Sequence, residues 1–329
     1  GDHDSRHRDV SLLYNILRIF LVASHFHEMQ EAIVMEHRVG SLTMRALEGE
    51  LPEVTQGELA TGGDGRNGQR LLTEGGRNVS SSCSRLLFAG LWLLLNLATG
   101  NALVEEKMIK KQLIPRYLLP LLAHNGNTAT DTELCLLVLT FIKRLSVYEE
   151  NVQQMAEGQL VPTLLKLVHV EVSMLRSSSS SSNARIKHSP NDERVTEAAL
   201  GVLYNLAFDP SLRLTMVIHG LLPTLVALLR GKPAWRAQCL KLLYILSYDD
   251  ETKRLLGGGS SGSSGDDNGE ATSSLSVMPL LKELIFHLAL PSLTEELAAL
   301  VVNLTLEASN VEQLCAKAGL RRLMDRVIR

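Results

Sequence analysis

Long apolar runs recur along the chain, and a single residue stands out near the end of each one. In "GVLYNLAFD" that residue is Asn205, a polar side chain inside an otherwise apolar run. Matching places occur in "LLLNLATG", "FIKRLSVY", "LLYILSYD" and "LVVNLTLE". We call these positions the ladder: Asn96, Arg144, Asn205, Ile245 and Asn303, with Leu21 of "RIFLVASH" as its first member.

Further features follow the ladder positions in register. A proline comes eighteen or nineteen residues later, as Pro115, Pro162 and Pro223, with Pro279 as a displaced counterpart. Each proline opens a stretch with apolar residues at helical spacing, in the first turn, where its missing N–H costs nothing. Gly158 and Gly220 are placed as helix ends. The pattern predicts a short helix, a proline-started helix and a long apolar helix in each unit.

The intervals between ladder positions become regular once three biased stretches are set aside. These are the Gly-, Glu- and Ser-rich residues 50–82, the Ser-rich residues 173–190 and the Gly/Ser-rich residues 257–274. Without them the spacing narrows from 40–75 residues to 40–48 residues. A helical repeat of about 40 residues is typical of HEAT and armadillo proteins, and the helix order favours armadillo. The three insertions cannot bury enough apolar surface to order themselves, so we expect disordered loops.

The predicted fold is therefore all-α, an armadillo-repeat, right-handed superhelical solenoid of about six repeats. Such a unit cannot cover its own apolar faces, so neighbouring units must build one continuous core. We expect residues 1–329 to form a single solenoid that is a fragment of a longer protein.

In an armadillo stack the long helices line a concave groove, and the ladder residues should face it. An Asn amide offers a donor and an acceptor and can hold the backbone of an extended peptide. Alternatively, each Asn bonds to neighbouring backbone within the stack. The predicted partner-binding residues are Asn96, Lys143, Arg144, Asn205, Lys241 and Asn303. The basic members favour an acidic or phosphorylated segment, and solvated helix faces are the other interpretation.

Composition and residue spacing argue against several classes of function. The net charge of −3 and pI near 6.4 argue against nucleic-acid binding. The uncharged residues 86–104 are long enough for a membrane span, but Asn96 and Asn101 favour a buried helix, so we expect no membrane insertion. Four widely spaced cysteines predict core thiols of a reducing compartment. The His25 and His27 pair lacks a third ligand, and no catalytic, cofactor-binding or metal residues are predicted.

Four stretches resemble the kinesin-associated proteins, the armadillo-repeat non-motor subunits of heterotrimeric kinesin-II. They are "VMEHRVGSLTMRALEGEL", "LCLLVLTFIKRLSVYEENVQQM", "LYNLAFDPSLRLTMVIHGLLPTLVALL" and "VNLTLEASNVEQLCAKAGLRRLMDRVI". The second is the most specific, with Lys143 and Arg144 before Leu-Ser and then Glu-Asn. The Ser-rich and Gly/Ser-rich insertions depart from the family pattern.

The resemblance implies a non-catalytic adaptor. Such a subunit binds the C-terminal tail region of a kinesin-II motor heterodimer and links it to cargo or cargo adaptor proteins. Its expected location is the cytoplasm, the cytoskeleton and the cilium or flagellum. Two alternatives stay open: another armadillo scaffold of the β-catenin type, and a structural axonemal armadillo protein. Co-purification with a motor heterodimer would separate the first interpretation from both others.

Overall fold

The computed structural model describes residues 2–48, 81–99, 101–123, 129–180, 190–231, 233–257, 277–286 and 294–316, with positions 319, 321 and 325. Every regular element within these ranges is helical. The chain divides into two compact units, Gly1–Gly158 and Gln159–Arg329. Each unit is described by itself below.

The described residues of the first unit form eight α-helices. They are α1 (Asp2–Ala23), α2 (His27–Glu31), α3 (Val39–Glu48), α4 (Ser81–Ala98), α5 (Ala102–Lys110), α6 (Leu119–Ala123), α7 (Ala129–Leu145) and α8 (Glu149–Glu157). A π-helical turn, Ala32–Glu36, continues α2, and a second one, Ile114–Leu118, leads into α6. The long helices pack side by side, α1 on α4 and α4 on α7.

The second unit repeats the same order of short and long helices. Its elements are α9 (Leu160–Ser180), α10 (Pro190–Leu206), α11 (Pro210–Ile218), α12 (Leu221–Gly231), a 3-10 turn (Pro233–Trp235), α13 (Arg236–Leu246), α14 (Asp250–Gly257), α15 (Met278–Phe286), α16 (Glu295–Leu304) and α17 (Ala308–Cys315). Here α10 packs on α13, and α13 packs on α16.

The packing within each unit is that of stacked helical repeats. One ladder helix from each repeat, namely α1, α4 and α7 or α10, α13 and α16, lies against the next. Their cores consist mainly of fully buried leucines, for example Leu93 and Leu94 in α4 and Leu242 and Leu243 in α13. The all-helical prediction is confirmed for the described residues, and the arrangement is consistent with armadillo repeats. The repeat number and the superhelix stay predictions.

In the described part of the chain, left-handed backbone precedes α3, which has no proline, and the three helical segments that contain Pro115, Pro162 and Pro223. Gly220 has φ 83°, whereas Arg38, Gln112 and Gln159 occupy the same kind of turn with φ of 50–54°. The predicted glycine is therefore right at Gly220. At Gly158 it is displaced by one residue, because Gly158 has φ −79° and Gln159 takes the left-handed conformation. A non-glycine residue there costs about 1–2 kcal/mol of backbone strain.

The first ladder position also lies one residue away from its prediction. In the later repeats the N–H two residues after the ladder position bonds the carbonyl two residues before it, as Ser247 does to Leu243. In α1 the corresponding bond joins Ser24 to Phe20, so Val22 rather than Leu21 is the equivalent residue. The error arose because "LVASH" aligns almost equally well in two registers.

One predicted insertion boundary is wrong. Helix α9 continues to Ser180, eight residues into the stretch 173–190, because Ser173–Leu175 still follow the helical apolar pattern of "VEVSML". Residues 181–189, like 50–80 and 258–274, lie outside the described residues, so the predicted loops there are not tested. Position 257 ends α14, and residues 81–82 begin α4.

The apolar residues 86–104 do not form one helix. Helix α4 ends at Ala98 and α5 begins at Ala102, where Asn101 caps it by accepting from the Val104 N–H. Within the described ranges, no single helix is long and apolar enough to cross a membrane. The pair α11 and α12, bent by 74°, passes that test of length and composition only when taken together.

Gly257 is required by a close contact between two repeats. A Cβ at this position would overlap Oδ1 of Asn310, a fully buried side chain on α17. The Asn310 Nδ2 donates to the carbonyls of Lys253 (3.2 Å) and Leu304 (3.0 Å), so the amide cannot move without losing buried hydrogen bonds.

We predict that Gly257→Ala lowers the free energy of unfolding by about 2–3 kcal/mol, because the methyl group displaces the Asn310 amide. Gly40→Ala in α3 is the control, since its nearest neighbour, Leu94 Cδ2, is 4.0 Å away. This change should raise stability by about 0.5–1 kcal/mol through helix propensity. Thermal melts of both variants measure the difference, and equal melting temperatures would contradict the packing argument.

Two buried thiols yield a second prediction. Burial raises the pKa of Cys135 and of Cys239 to about 12, whereas the Cys315 side chain is half-buried. Because the thiolate is the reacting species, iodoacetamide at pH 8.5 should modify Cys315 before Cys135 and Cys239 and leave those two intact until unfolding. Mass spectrometry after timed alkylation measures the order in which these cysteines react. Early modification of Cys135 would show that α7 is not packed as described.

Candidate functional site

The predicted partner-binding residues all lie on the ladder helices, five of them within the last turn. In the first unit Asn96 ends α4, and Lys143 and Arg144 end α7. In the second unit Asn205 ends α10, Lys241 lies at the middle of α13, and Asn303 ends α16. All six are half-buried or exposed, whereas Ile245, the apolar ladder residue, is buried. Asn96, Arg144, Asn205 and Asn303 thus hold equivalent places within their own helices, whereas Lys143 and Lys241 do not.

Asn96 ties α4 to the end of α1. Its Nδ2 donates to Oγ of Ser24 at 3.1 Å and lies 3.5 Å from Nε2 of His25. The Ser24 hydroxyl in turn donates to the carbonyl of Leu21 at 2.7 Å. A short chain of hydrogen bonds therefore links the last turns of two neighbouring ladder helices.

Asn303 makes the equivalent tie in the second unit. Its Nδ2 donates to the Ser247 carbonyl oxygen (2.9 Å) and approaches the Ser247 Oγ at 2.7 Å. Ser247 and Ser24 hold the same place, two residues after the ladder position of the preceding repeat. Asn205 is half-buried at the matching point of α10 and also interacts with another group. For Asn96 and Asn303 the contact is thus within the stack, which was the alternative interpretation of the ladder asparagines.

At the ladder position of α7, an ion pair of Arg144 takes the place of the amide hydrogen bond that Asn96 and Asn303 form. Its Nε lies 3.7 Å from Oε1 of Glu105, a buried carboxylate on α5, and about a third of the Arg144 side chain is exposed. Tyr148 stands one turn later, and its hydrogen bond to Glu105 raises the Tyr148 pKa above its ordinary value. Arg144 and Tyr148 therefore share one buried acidic partner from the preceding repeat.

The two lysines, Lys143 and Lys241, each interact with another group. Nζ of Lys241 lies 3.4 Å from Oε1 of Glu296 on the neighbouring ladder helix α16, yet half of the lysine side chain is exposed. Lys143 is exposed on α7 and also has an interaction partner. We call the six predicted partner-binding residues the ladder row. Its basic members Arg144 and Lys241 are each held by one carboxylate and remain partly exposed, and Lys143 is exposed beside Arg144.

The sequence alone did not single out the best-formed ion pair. Arg213 of α11 donates from Nε and Nη2 to both carboxylate oxygens of Asp249, at 2.9 and 3.2 Å. Its Nη1 donates to the carbonyls of Ala207 and Phe208, at 3.0 and 3.3 Å. The signal was present, because Asp249 follows a ladder position by four residues and Arg213 follows another by eight.

Catalytic or metal chemistry has no visible basis in the described part of the chain. No group of three His, Cys, Asp or Glu side chains there could hold a metal ion. The His25 ring bonds the Leu21 carbonyl through Nδ1 at 2.7 Å, and the His27 side chain lies outside the description. What the ladder residues can do is tie repeats together and offer charge and amide groups to a polypeptide.

We predict that Arg213→Met lowers the free energy of unfolding by about 2–3 kcal/mol, because it removes the pair with Asp249 and leaves two carbonyls without their donor. Lys110→Met is the matched control, since Lys110 forms an exposed pair with Glu106 within α5. That change should leave the melting temperature nearly unchanged. Comparable losses in both variants would refute the role given to Arg213.

One comparison with known proteins bears on this arrangement. The family model described as kinesin-associated protein matches residues 3–329, which is essentially the whole chain. The match covers both compact units and every ladder position. It agrees with the resemblance seen in the four sequence stretches, and it describes a family of non-enzymatic kinesin-associated subunits. The chain belongs to the kinesin-associated protein family.

Proposed function

We propose that the chain is a non-catalytic adaptor that binds the C-terminal tail region of a heterodimeric kinesin-II motor and links the motor to cargo. The observation that carries this proposal is the family match over residues 3–329. The adaptor would act in microtubule-based transport within cilia or flagella, between the cytoplasm and the cytoskeleton. Stacked helical repeats suit this task because they offer a long polypeptide-binding surface.

The exposed parts of the ladder row are the proposed contact with the motor tail. Arg144 and Lys241 each form an ion pair with a carboxylate of the stack, and the rest of each side chain is exposed to solvent. Lys143 adds a further exposed charge beside Arg144. Anchoring at one point reduces the rotamer entropy that binding would cost, so these cations are prepared for an acidic or phosphorylated segment.

The asparagines can contribute through their carbonyl oxygens. Nδ2 of Asn96 and Nδ2 of Asn303 are used within the stack, whereas Oδ1 of either residue has no hydrogen-bond partner among the described residues. Both side chains are half-buried. Within either unit, an extended peptide could donate a backbone N–H to this Oδ1, a contact that does not depend on the peptide's side chains.

The test compares two variants with the same loss of charge. Lys143→Gln with Arg144→Gln should weaken binding to the motor-tail heterodimer about tenfold, because two row cations are lost. Lys107→Gln with Lys110→Gln, on exposed positions of α5, should bind like the wild type. Affinity is measured by pull-down titration at two salt concentrations.

Neutral glutamine is chosen for a structural reason. A glutamate at position 144 would face the buried Glu105, and one at position 241 would face Glu296, so charge reversal would also destabilise the stack. Melting temperatures of both double variants accompany the titration. Equal affinities of the two double variants for the motor tail would show that the ladder row is not the binding surface. Failure of the wild type to bind any motor tail would contradict the proposed function itself.

A further inference from the structure

A second surface in the unit Gln159–Arg329 lies beside the ladder but does not include it. In this unit the residue before each ladder position is apolar or aromatic, and so is the residue three places after the same ladder position. Both lie at or just beyond the end of a ladder helix. We call these six residues the apolar ridge: Tyr204, Phe208, Tyr244, Tyr248, Val302 and Leu306. Phe208, Tyr248, Val302 and Leu306 are exposed, and Tyr204 and Tyr244 are half-buried.

Within each repeat the two ridge residues touch or stand one turn apart. Tyr204 and Phe208 pack edge to face with ring centroids 5.4 Å apart, and Tyr244 and Tyr248 do so at 5.2 Å. A hydrogen bond with Tyr244 is the main cause that raises the pKa of Tyr248, and nearby Tyr204 adds to it. The helices α10 and α13, which carry these two ring pairs, pack on each other.

Polar ties join the successive repeats that carry the ridge. The Arg213 guanidinium bridges the Phe208 carbonyl and the Asp249 carboxylate, and Asp249 directly follows Tyr248. Asn303, next to Val302, donates to Ser247, next to Tyr248. Each tie joins neighbours of ridge residues in successive repeats. Exposed apolar surface held in a fixed arrangement is a feature of interaction sites, and tyrosine is suited to it because it loses little rotamer entropy.

Exposed carboxylates lie at the edge of the ridge, and Arg254, one turn after Asp250 on α14, is an exposed cation beside them. In the pair of Arg213 with Asp249 the side-chain exposures are 10% and 39%, and in the pair of Lys253 with Asp250 they are 10% and 84%. The carboxylate is the exposed partner both times. Glu251 and Glu307 add exposed or half-exposed charge and form no ion pair within the described residues. Helix capping does not account for Glu307, whose side chain makes no cap hydrogen bond.

We propose that the apolar ridge is a docking surface for a polypeptide segment in which apolar residues are interspersed with lysine or arginine. The apolar side chains pack on the ridge, and the cations meet the carboxylates at its edge. This ligand is opposite in charge to the one proposed for the ladder row. The ridge thus lets one chain hold two different segments, and it stands independently of the motor-tail proposal.

The test uses synthetic peptides on the full chain. Three fluorescein-labelled peptides of equal length alternate Leu and Trp with Lys, with Glu or with Ser, and fluorescence anisotropy measures their binding. We expect the Lys peptide to bind about tenfold more tightly than the other two and to weaken as salt is raised. Equal binding of the Lys and Glu peptides would overturn the proposal.

Variants then locate the binding. Phe208→Ser with Leu306→Ser should weaken the Lys peptide about tenfold, whereas Leu214→Ser with Ile218→Ser, two exposed apolar residues of α11 outside the ridge, should not. Glu251→Gln with Glu307→Gln should reduce the salt dependence without touching the core. Equal effects of the two serine variants, or a salt dependence unchanged by the glutamine variant, would overturn the assignment. The assignment would also be overturned if the wild type were a dimer and Phe208→Ser with Leu306→Ser made it monomeric, because a second copy of the chain would then cover the ridge.

Discussion

The packing of each long ladder helix against the ladder helices beside it is the constraint on which the structure depends. A repeat of about 40 residues cannot enclose its own apolar faces, so leucines such as Leu93 and Leu243 are buried only because a neighbour covers them. Apolar packing alone tolerates sliding along the helix axis. The hydrogen bonds of Asn96 with Ser24 and of Asn303 with Ser247 join fixed points of adjacent helices and so set the register of neighbouring repeats.

The same polar ties prepare the surface for partners. Arg144 and Lys241 reach carboxylates of a neighbouring repeat and still present charge to solvent, and Arg213 fixes the turn after Phe208 against Asp249. A side chain already held at one point loses little freedom when it binds. Residues that stabilise the stack and residues proposed to bind partners therefore overlap, which explains why charge reversal at Arg144 is a poor probe and neutral substitution a better one.

Much of the fold could be predicted from the sequence, because helix order and repeat length follow from apolar spacing and proline positions. The ladder asparagines were also correctly placed at the ends of long helices. Their partners could not be predicted, since the Asn303 contact spans 56 positions of the chain and depends on how two repeats pack. The register of α1 was misjudged because its last turn, with Leu21 and Val22, is apolar at both candidate positions. The helical extent of α9 was missed because the serine-rich composition of residues 173–190 predicts a loop, whereas α9 continues to Ser180.

The central claim, that the predicted partner-binding residues of the ladder row face the motor tail, is tested most directly by site-specific photo-crosslinking. A photo-reactive amino acid is placed at position 143, at position 241 or at the exposed position 110 of α5, and each protein is irradiated with the motor-tail heterodimer. The account predicts crosslinks to the tail from positions 143 and 241, mapped to acidic or phosphorylated segments, and none from position 110. Crosslinks from position 110 alone, with positions 143 and 241 silent in a complex that forms normally, would contradict it.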